Sequence, residues 1–417
     1  MNDINNLLYL DKVYVSDLKS HINECIDLYM NENISLMSKE SFHKDMYEDL
    51  YQYLINCYIN VMDKYLDLII KYYITKYQNI YFSSVIPQRS YETTFIRKHK
   101  PNKYKLTSKI NYLKDIYQPE QRTDDWYIFR HNLITASSAW KGLDSSEKIV
   151  NSLIYEKCQP LNLTKYSNVN IYSPFHHGTI YEPISVQIYE RDYCTKVEDF
   201  GCIKNPKYDY LGASPDGINI DETSERYGRM LEIKNIVNRE ITGIPKKEYW
   251  IQMQMQMGVC ELNECDFLET KFTEYEDYDD YKNDGEYFLS SDNKLKGIFL
   301  CFLKKDRPYY EYPDINLSKN EFKKWETEIM DKNKDLTWIK NIYWKLDIIS
   351  CVLVLRNKLW FDDAIKKLAN ISEIIKKEKN TGYDHRKPQK RPTKIMPMTV
   401  KTDDIKGTCI IDLKGFT

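Results

Sequence analysis

Apolar side chains recur at three- and four-residue steps through the first part of the chain. The clearest run comprises Tyr47, Leu50, Tyr51, Leu54, Cys57, Tyr58 and Val61. This spacing places the apolar side chains on one face of an α-helix. The segment contains no grouping of residues that is typical of a catalytic site. We therefore predict a helical N-terminal extension that, together with a basic linker, covers residues 1–117.

The linker is recognised by its cations. Pro87 and Pro101 interrupt the helical pattern, and basic residues cluster around the second proline. The cluster consists of Arg97, Lys98, Lys100, Lys103, Lys105 and Lys109. Charge runs of this kind are common on solvated surfaces, which favours a linker. A strap that contacts phosphate groups is the alternative.

Helix-like and strand-like patterns mix over the middle of the chain, which predicts an α/β (α+β) core at residues 118–330. The clearest strands lie in YDYLGASPDGINI, residues 208–220, and RMLEIKN, residues 229–235. An acidic, tyrosine-rich stretch interrupts the core, and its composition is typical of an inserted surface loop. We place this insertion at residues 273–290.

Helical periodicity returns after the core. Ser318 is a candidate N-cap for the run KNEFKKWETEIMDK, and a further helix is predicted over Lys358–Lys377. We assign residues 331–378 to C-terminal helices. Residues 379–417 are rich in proline, lysine and arginine, which predicts a flexible basic tail.

Composition narrows the classes of function. The 417 residues carry 60 basic and 62 acidic side chains, so a uniformly basic nucleic-acid coat protein is excluded. The ten cysteines form no Cys-x-x-Cys pair, which argues against a zinc or iron–sulfur centre. The sequence shows neither a long apolar run nor a secretion signal. We therefore expect a cytoplasmic protein without a membrane segment, in the host cytoplasm or virion if the source is viral.

The candidate chemistry centres on a hairpin. Gly217 allows a turn after Asp216, whose carboxylate would lie at a strand end. Side chains alternate along a strand, so Glu232 and Lys234 project from the same face of the return strand. A hairpin of this kind can bring the two acids and the lysine around one point. Carboxylate oxygens suit magnesium, with manganese as a substitute, and a lysine beside the ion can stabilise charge on a phosphate.

Two predicted helices add polar residues to this centre. Glu182 lies near the start of a helix at residues 175–193, where it could reach a metal ion or simply balance the helix dipole. Tyr249, Gln252 and Gln256 share one face of a second helix. Glutamines on a buried face need partners, although each one alone could be amphipathic filler.

The order of these motifs is itself informative. QRTDDWYIFRHNLITASSAWKGL is followed by Gly-x-x-x-Glu-Pro, Gly-x-Ser-Pro-Asp-Gly, Leu-Glu-Ile-Lys and Tyr-x-x-Gln-x-Gln. This order resembles the lambda-exonuclease/YqaJ-type viral recombinase family of PD-(D/E)XK, or restriction-endonuclease-like, nucleases over residues 118–330. The resemblance implies a central mixed β-sheet flanked by helices. Together with a composition typical of AT-rich genomes, it also implies a large DNA virus as the source.

The resemblance implies roles for individual positions in the hairpin region. Asp216 and Glu232 match the two metal-ligating acids, and the backbone carbonyl of Ile233 between them is an additional implied ligand. Glu182 matches the helical acid that completes the metal site. Lys234 matches the active-site lysine.

Further positions match residues that surround the metal or contact DNA. Gln252 matches the glutamine of the active site, and Tyr249 occupies the position of a nearby tyrosine among the DNA contacts. Arg130 and Ser137 match residues that hold the 5′-terminal phosphate in the exonuclease branch. A guanidinium is a rigid, permanently charged fork for phosphate, which supports the role of Arg130 independently.

We therefore expect a magnesium-dependent DNA exonuclease, a hydrolase that acts 5′ to 3′ on duplex ends in recombination, repair or viral genome processing. The alternatives are a structure-selective or single-strand endonuclease of the same fold and a catalytically silent DNA-binding recombination module. DNA is the expected partner, and a single-strand annealing recombinase is a candidate protein partner. A homo-oligomer is also a candidate, although the N-terminal extension puts the trimeric ring of the exonuclease branch in question.

Overall fold

The computed structural model describes residues 12–92, 101–163, 174–305 and 307–388. Most of the predicted basic tail, residues 389–417, therefore lies outside the described residues, as do Arg97, Lys98 and Lys100 of the linker. The α-helices are α1 (Lys12–Glu32), α2 (Phe42–Cys57), α3 (Lys64–Ser84), α4 (Lys103–Asp115), α5 (Asp124–His131), α6 (Ala136–Gly142), α7 (Glu147–Cys158), α8 (Pro174–Asp192), α9 (Lys247–Cys260), α10 (Tyr278–Asn283), α11 (Lys319–Lys332) and α12 (Lys358–Thr381). Single turns of 3-10 helix occur at Ile34–Ser38, Ile59–Val61 and Asp384–Arg386.

The strands form a large mixed sheet and a small one. They are β1 (Tyr91–Glu92), β2 (Ile134–Thr135), β3 (Val197–Glu198), β4 (Ile203–Lys204), β5 (Leu211–Ala213), β6 (Gly217–Asn219), β7 (Met230–Asn235), β8 (Glu264–Glu274), β9 (Lys296–Lys304), β10 (Arg307–Glu311) and β11 (Thr337–Leu355). The large sheet has the order β10-β9-β11-β8-β7-β6-β3, with β1 beside β11, and the small sheet has the order β2-β5-β4. Strand β7 pairs with β8 in parallel, whereas its other neighbour β6 is antiparallel. The sheet is therefore mixed, as the sequence predicts.

Helices cover both faces of the sheet at β7. Leu231 and Ile233 lie in an apolar cluster with Tyr189 of α8. Met230 on the opposite face belongs to a cluster that includes Trp250 of α9. This alternation is what a strand with two buried faces requires. The predicted α/β (α+β) class, with a central sheet flanked by helices, is confirmed.

The predicted C-terminal helices over residues 331–378 are only partly correct. Helix α12 is present, but residues 337–355 form the longest strand of the sheet, β11. Its first half pairs with β9 and its second half with β8. Ile342, Trp344 and Leu346 are buried at every second position, a period of two that indicates a strand. Pairing on both edges outweighs any local helical preference.

The predicted cap is confirmed, because Ser318 and Glu321 form a reciprocal capping box at α11.

The acidic insertion is an ordered part of the fold rather than a plain surface loop. It contains α10, and Tyr281 in this helix is fully buried. Lys296 of β9, with a side chain only 1% exposed, donates to the carbonyl oxygens of Tyr281 and Asp284. Its ammonium also lies 4.4 Å from the centre of the Tyr281 ring. A buried cation thus fastens the insertion to the sheet.

The N-terminal helices α1, α2 and α3 are continuous with the core. Leu50 of α2 and Ile70 of α3 belong to the same apolar cluster as Trp250 of α9. Arg89 reinforces this junction, because it donates to the carbonyl oxygens of Ser38 at 2.8 Å and Pro245 at 2.9 Å. The N-terminal helices therefore pack directly on the elements that follow residue 117.

The second part of the predicted linker is a helix, α4. Ile110 and Leu113 anchor it with buried side chains. Lys103 forms an ion pair with Glu222 at 3.1 Å, and Lys109 pairs with Glu261. These two lysines are paired with acids of the core, which favours the linker interpretation over a phosphate-contacting strap at this point.

Among the described residues, no helix has the length and apolar character needed to cross a membrane.

A buried charge network fixes the long hairpin between Asp216 and Glu232. Asp266 of β8 is fully buried and pairs with Arg226 and, at 3.2 Å, with Arg229. The hydroxyl of Tyr189 donates to the same carboxylate at 2.7 Å. Both arginines lie near the tip of the hairpin, so the network ties the tip to the neighbouring strand. Breaking a buried pair by removing one partner is strongly destabilising, because the other charge remains buried.

The substitution Asp266→Asn is expected to lower the free energy of unfolding by about 3–5 kcal/mol, since it leaves two arginines without their shared carboxylate. Urea denaturation measures the difference. Glu328→Gln, at an exposed position on α11, is the matched control and should stay within about 0.5 kcal/mol of the wild type. Equal stability of the two variants would show that the network does not hold the hairpin.

Candidate active site

The hairpin that carries the predicted acids is built as the sequence suggests, with one difference. Strand β6 pairs antiparallel with β7, so Asp216 at the start of β6 lies beside the middle of β7. Gly217 adopts an ordinary strand conformation, and a turn is not the reason for the glycine. A Cβ atom there would lie 2.1 Å from the Val197 side chain. Close packing of β3 on β6 therefore requires the absence of a side chain.

Glu232 is the centre of the site. Its side chain is completely buried, and the amides of Gln252 and Gln256 each donate to it at 2.7 Å. Lys234 pairs with the same carboxylate. The glutamines predicted to share one face of α9 and the lysine predicted to share a face of β7 with Glu232 therefore all contact the Glu232 carboxylate. A buried carboxylate requires such partners, because burial without them is very unfavourable.

Asp216 lies on the edge of β7. Its carboxylate accepts a hydrogen bond from the backbone N–H of Ile233 at 2.7 Å. In an extended strand the N–H and C=O of one residue point to the same edge, so the carbonyl of Ile233 is on the side of Asp216. Burial and the nearby charge of Glu232 raise the pKa of Asp216 well above its usual range. The site thus confines two carboxylates that repel each other.

Lys234 is the cation of the site. Burial alone would lower its pKa, but the carboxylates of Glu232 and Asp216 raise it above the usual value. The ammonium is therefore charged at neutral pH. The ring centre of Tyr249 lies 5.3 Å from the ammonium, and it is 5.4 Å from the guanidinium of Arg239. Tyr249 consequently stands beside the lysine and not beside Arg130.

Glu182 lies close to the other charged groups but has its own partner. Arg122 donates to its carboxylate at 2.6 Å. Burial raises the pKa of Glu182, although Arg122 and Lys234 oppose this effect. Over the part of the chain that the structure describes, no group of three or more acids, histidines or cysteines is arranged as a metal site. The charge of Glu182 is nevertheless close enough to Asp216 to contribute to the raised pKa of that carboxyl.

A cleft joins the acidic centre to the predicted phosphate contacts. This cavity of about 170 Å³ is lined by Gln121, Arg122, Trp126, Arg130, Ala136, Ser137, Ser214, Asp216, Gln252 and Gln256. The guanidinium of Arg130 donates to the hydroxyl of Ser214 at 2.9 Å and to that of Ser137 at 3.0 Å. It also stacks on Trp126, 4.1 Å from the ring centre. The guanidinium of Arg130 and the carboxylate of Asp216 therefore open into the same space.

Sequence reasoning missed four residues that line the cleft near Arg130. Ser214, Trp126, Gln121 and Arg122 were not assigned to the site. Ser214 immediately precedes the Pro-Asp pair, so its position next to Asp216 is the one sequence feature that points to it. Ser137 stands in the first turn of α6, whose N-cap is Thr135.

The donor set fits a hard divalent cation. Magnesium usually takes one or two protein carboxylates and completes its octahedron with other oxygens. Asp216 and Glu232 supply the carboxylates, and the carbonyl of Ile233 is a third oxygen on the same edge. The Oε1 atom of Gln256 is buried without a hydrogen-bond donor in the described structure. This orphan acceptor would be satisfied by a water molecule held near the ion.

Comparison with known proteins agrees with this geometry. Residues 125–275 match the family described as the YqaJ-like viral recombinase domain. This range contains every residue that the sequence assigns to the site, and the predicted resemblance is confirmed over it. An uncharacterized protein of Acanthamoeba polyphaga mimivirus is 28% identical over 307 residues, which are 64% of this chain and 54% of that protein. The chain thus spans about half the length of this relative.

Solved structures offer a more distant likeness. An alkaline exonuclease from Laribacter hongkongensis has a TM-score of 0.36 and 18% identity, with 62% of this chain and 95% of that chain covered. The same values apply to its complex with dAMP. A phage-related exonuclease from Haemophilus somnus has a TM-score of 0.32 and 10% identity, with 61% and 96% covered.

In EDTA, Asp216→Asn is expected to raise the free energy of unfolding by about 1 kcal/mol, because it removes one of two mutually repelling charges. The asparagine oxygen can still accept from Ile233. Magnesium should raise the melting temperature of the wild type but not of the variant, since the variant lacks one of the two carboxylates.

Asp335→Asn, at an exposed position, is the matched control and should behave as the wild type in both conditions. The interpretation of the acidic centre fails if Asp216→Asn is less stable than the wild type in EDTA. The metal assignment fails if magnesium stabilises the variant as much as the wild type.

Proposed function

We propose that this chain, whose residues 125–275 form a YqaJ-like viral recombinase domain, is a magnesium-dependent nuclease that degrades duplex DNA from its ends, 5′ to 3′. One observation carries the proposal. Arg130 and Asp216 line a single cleft, and the lining residues Gln252 and Gln256 donate to the buried carboxylate of Glu232. This arrangement suits a substrate with a terminal phosphate and a neighbouring phosphodiester. The reaction would support recombination, repair or viral genome processing.

The residues of the cleft have complementary tasks in this proposal. Arg130, with Ser137 and Ser214 beside it, would hold the 5′-terminal phosphate as a charge-assisted fork. Asp216, Glu232 and the carbonyl of Ile233 would hold magnesium or, as a substitute, manganese. The ion supplies neutralisation of the charge that builds up on the phosphate.

Lys234 would stabilise charge rather than remove a proton. Because its pKa is raised by Glu232 and Asp216, it remains an ammonium at neutral pH and cannot accept a proton there. Its suitable task is to stabilise the negative charge of the reacting phosphate. Gln252 and Gln256 would keep Glu232 oriented toward the cleft through their two hydrogen bonds. Glu182, held by Arg122, would act at the border of the site.

The central experiment is digestion of linear duplex DNA that carries a 5′-phosphate, compared with a 5′-hydroxyl duplex and a closed circle, each in magnesium and in EDTA. We expect loss of the linear DNA only, in magnesium only. Asp216→Asn should retain DNA binding and reduce cleavage by more than about 100-fold. Cleavage of the circle would indicate an endonuclease, and absence of cleavage would indicate a DNA-binding module.

The role of Arg130 is tested separately. Arg130→Ala should reduce the preference for a 5′-phosphate over a 5′-hydroxyl end by about 10- to 100-fold, the effect of losing charge-assisted hydrogen bonds. Rates on the two ends measure this ratio. Arg307→Ala, at an exposed position on β10, should leave the ratio unchanged. If Arg130→Ala also leaves it unchanged, the end-binding role is wrong.

The resemblance extends the proposal to assembly and partners. A ring of three chains would have about three times the chain mass of 50.0 kDa, which light scattering can measure. A single-strand annealing recombinase is the proposed protein partner, because resection of one strand leaves a single strand for it to bind.

A further inference from the structure

A second cavity lies beside the end of α5. It has a volume of about 380 Å³, and four lysines line it: Lys157, Lys204, Lys376 and Lys379. Asp209 is the one acidic residue in its lining. These lysines come from α7, β4 and α12, so three separate elements bring positive charge to one place. We refer to this space as the lysine cavity.

Lys157 gives the cavity its most unusual feature. The residue is only 6% exposed, and its ammonium donates to the carbonyl oxygen of Arg130 at 2.9 Å. Within the described chain it forms no ion pair with a carboxylate. Burial lowers its pKa to about 8, and the charge of Glu156 does not offset the effect. A buried ammonium without a counter-ion favours an anion as its partner.

The remaining lining suits the rest of a nucleotide. Phe129, Tyr210 and Ile375 provide aromatic and apolar surface between the lysines. The volume falls in the usual range of small-ligand sites, which combine apolar walls with a few polar groups. A phosphate at the lysines would leave room for an attached sugar or base against these walls.

A purely structural role explains only part of this arrangement. Lys157 satisfies a carbonyl group in the last turn of α5, and this is a common use of lysine near a helix C-terminus. That role does not explain why Lys204, Lys376 and Lys379 line the same cavity, where Asp209 is the one acid of the lining and Glu373 pairs with Lys376 at 2.9 Å. Like charges at one place repel each other, and a bound anion would relieve the repulsion.

We propose that the lysine cavity is a phosphate-binding site separate from the cleft, and that its ligand is a nucleotide phosphate, in a DNA backbone or in a free nucleoside monophosphate. Arg130 connects the two sites, because its guanidinium lines the cleft and its carbonyl accepts from Lys157. The DNA source rests on the proposed nuclease function, whereas binding of a free nucleotide does not.

The test compares two double variants of α12. Lys376→Glu/Lys379→Glu reverses two exposed charges of the lysine cavity, and Lys366→Glu/Lys377→Glu reverses two exposed charges of the same helix outside it. Both are made in an Arg130→Ala background, which removes the guanidinium of the cleft but keeps the backbone carbonyl. Equal melting temperatures would establish that both are folded. Lys157→Met is a third variant, interpreted only if it also melts normally.

Binding is measured in EDTA with two probes. Calorimetry with dAMP reports on the free nucleotide. Titration with a 5′-hydroxyl duplex between 50 and 200 mM salt reports on DNA. The slope of the logarithm of the binding constant against the logarithm of the salt concentration changes by about one for each phosphate contact. If the ligand is a free nucleotide, the cavity variant should bind dAMP at least tenfold more weakly than the control variant. If the ligand is DNA, the magnitude of this slope should be smaller by about one to two in the cavity variant than in the control variant.

The proposal is overturned if both dAMP affinity and the salt dependence of DNA binding equal those of the control variant. This outcome is independent of cleavage, which is assayed in the otherwise unaltered chain with magnesium. A chain that cuts DNA but shows no effect at the lysine cavity would retain the proposed function and lose this site. A chain that does not cut DNA but loses dAMP binding in the cavity variant would retain the lysine cavity as a binding site and lose the proposed nuclease function.

Discussion

The burial of one carboxylate is the constraint on which the architecture of the site depends. Glu232 has no contact with solvent, and therefore every hydrogen bond that its charge requires must come from the protein. Those bonds come from Lys234 on the same strand and from two glutamines one turn apart on α9. The helix cannot rotate or slide along the sheet without breaking them. Because the two glutamines also line the cleft, the same interactions set the shape of the substrate space.

The cleft has two halves with opposite electrostatic character. Asp216, just before β6, forms the acidic half with the buried Glu232 of β7 near it, and Arg130 forms the basic half on α5. Ser214 stands between them, because it follows β5, precedes Asp216 by two positions and accepts from Arg130. A short Ser-Pro-Asp segment thus couples the basic half to the acidic half. Their separation is fixed by the chain itself rather than by distant packing.

The acidic centre could be predicted from the sequence because its residues obey local periodicities. The alternation of a strand places Glu232 and Lys234 together, and the turn of a helix places Gln252 and Gln256 together. Ser214 escaped prediction because serine at a strand end is unremarkable until Arg130 is known to face it. Strand β11 and the burial of Tyr281 were not predicted for a related reason. Their environment is supplied by β8, β9 and Lys296, which are distant in sequence.

Strand β11 also determines when the sheet can be completed. It is the last strand among the described residues, but it lies inside the sheet, with β9 on one edge and β8 on the other. During synthesis, β8 leaves the ribosome with one long edge exposed until residues 344–355 follow it. An unpaired hydrophobic edge is a site for association between chains, and non-local pairing is slow to form. Between the synthesis of β8 and that of β11, the half-finished sheet therefore carries an unpaired edge that is open to association with other chains.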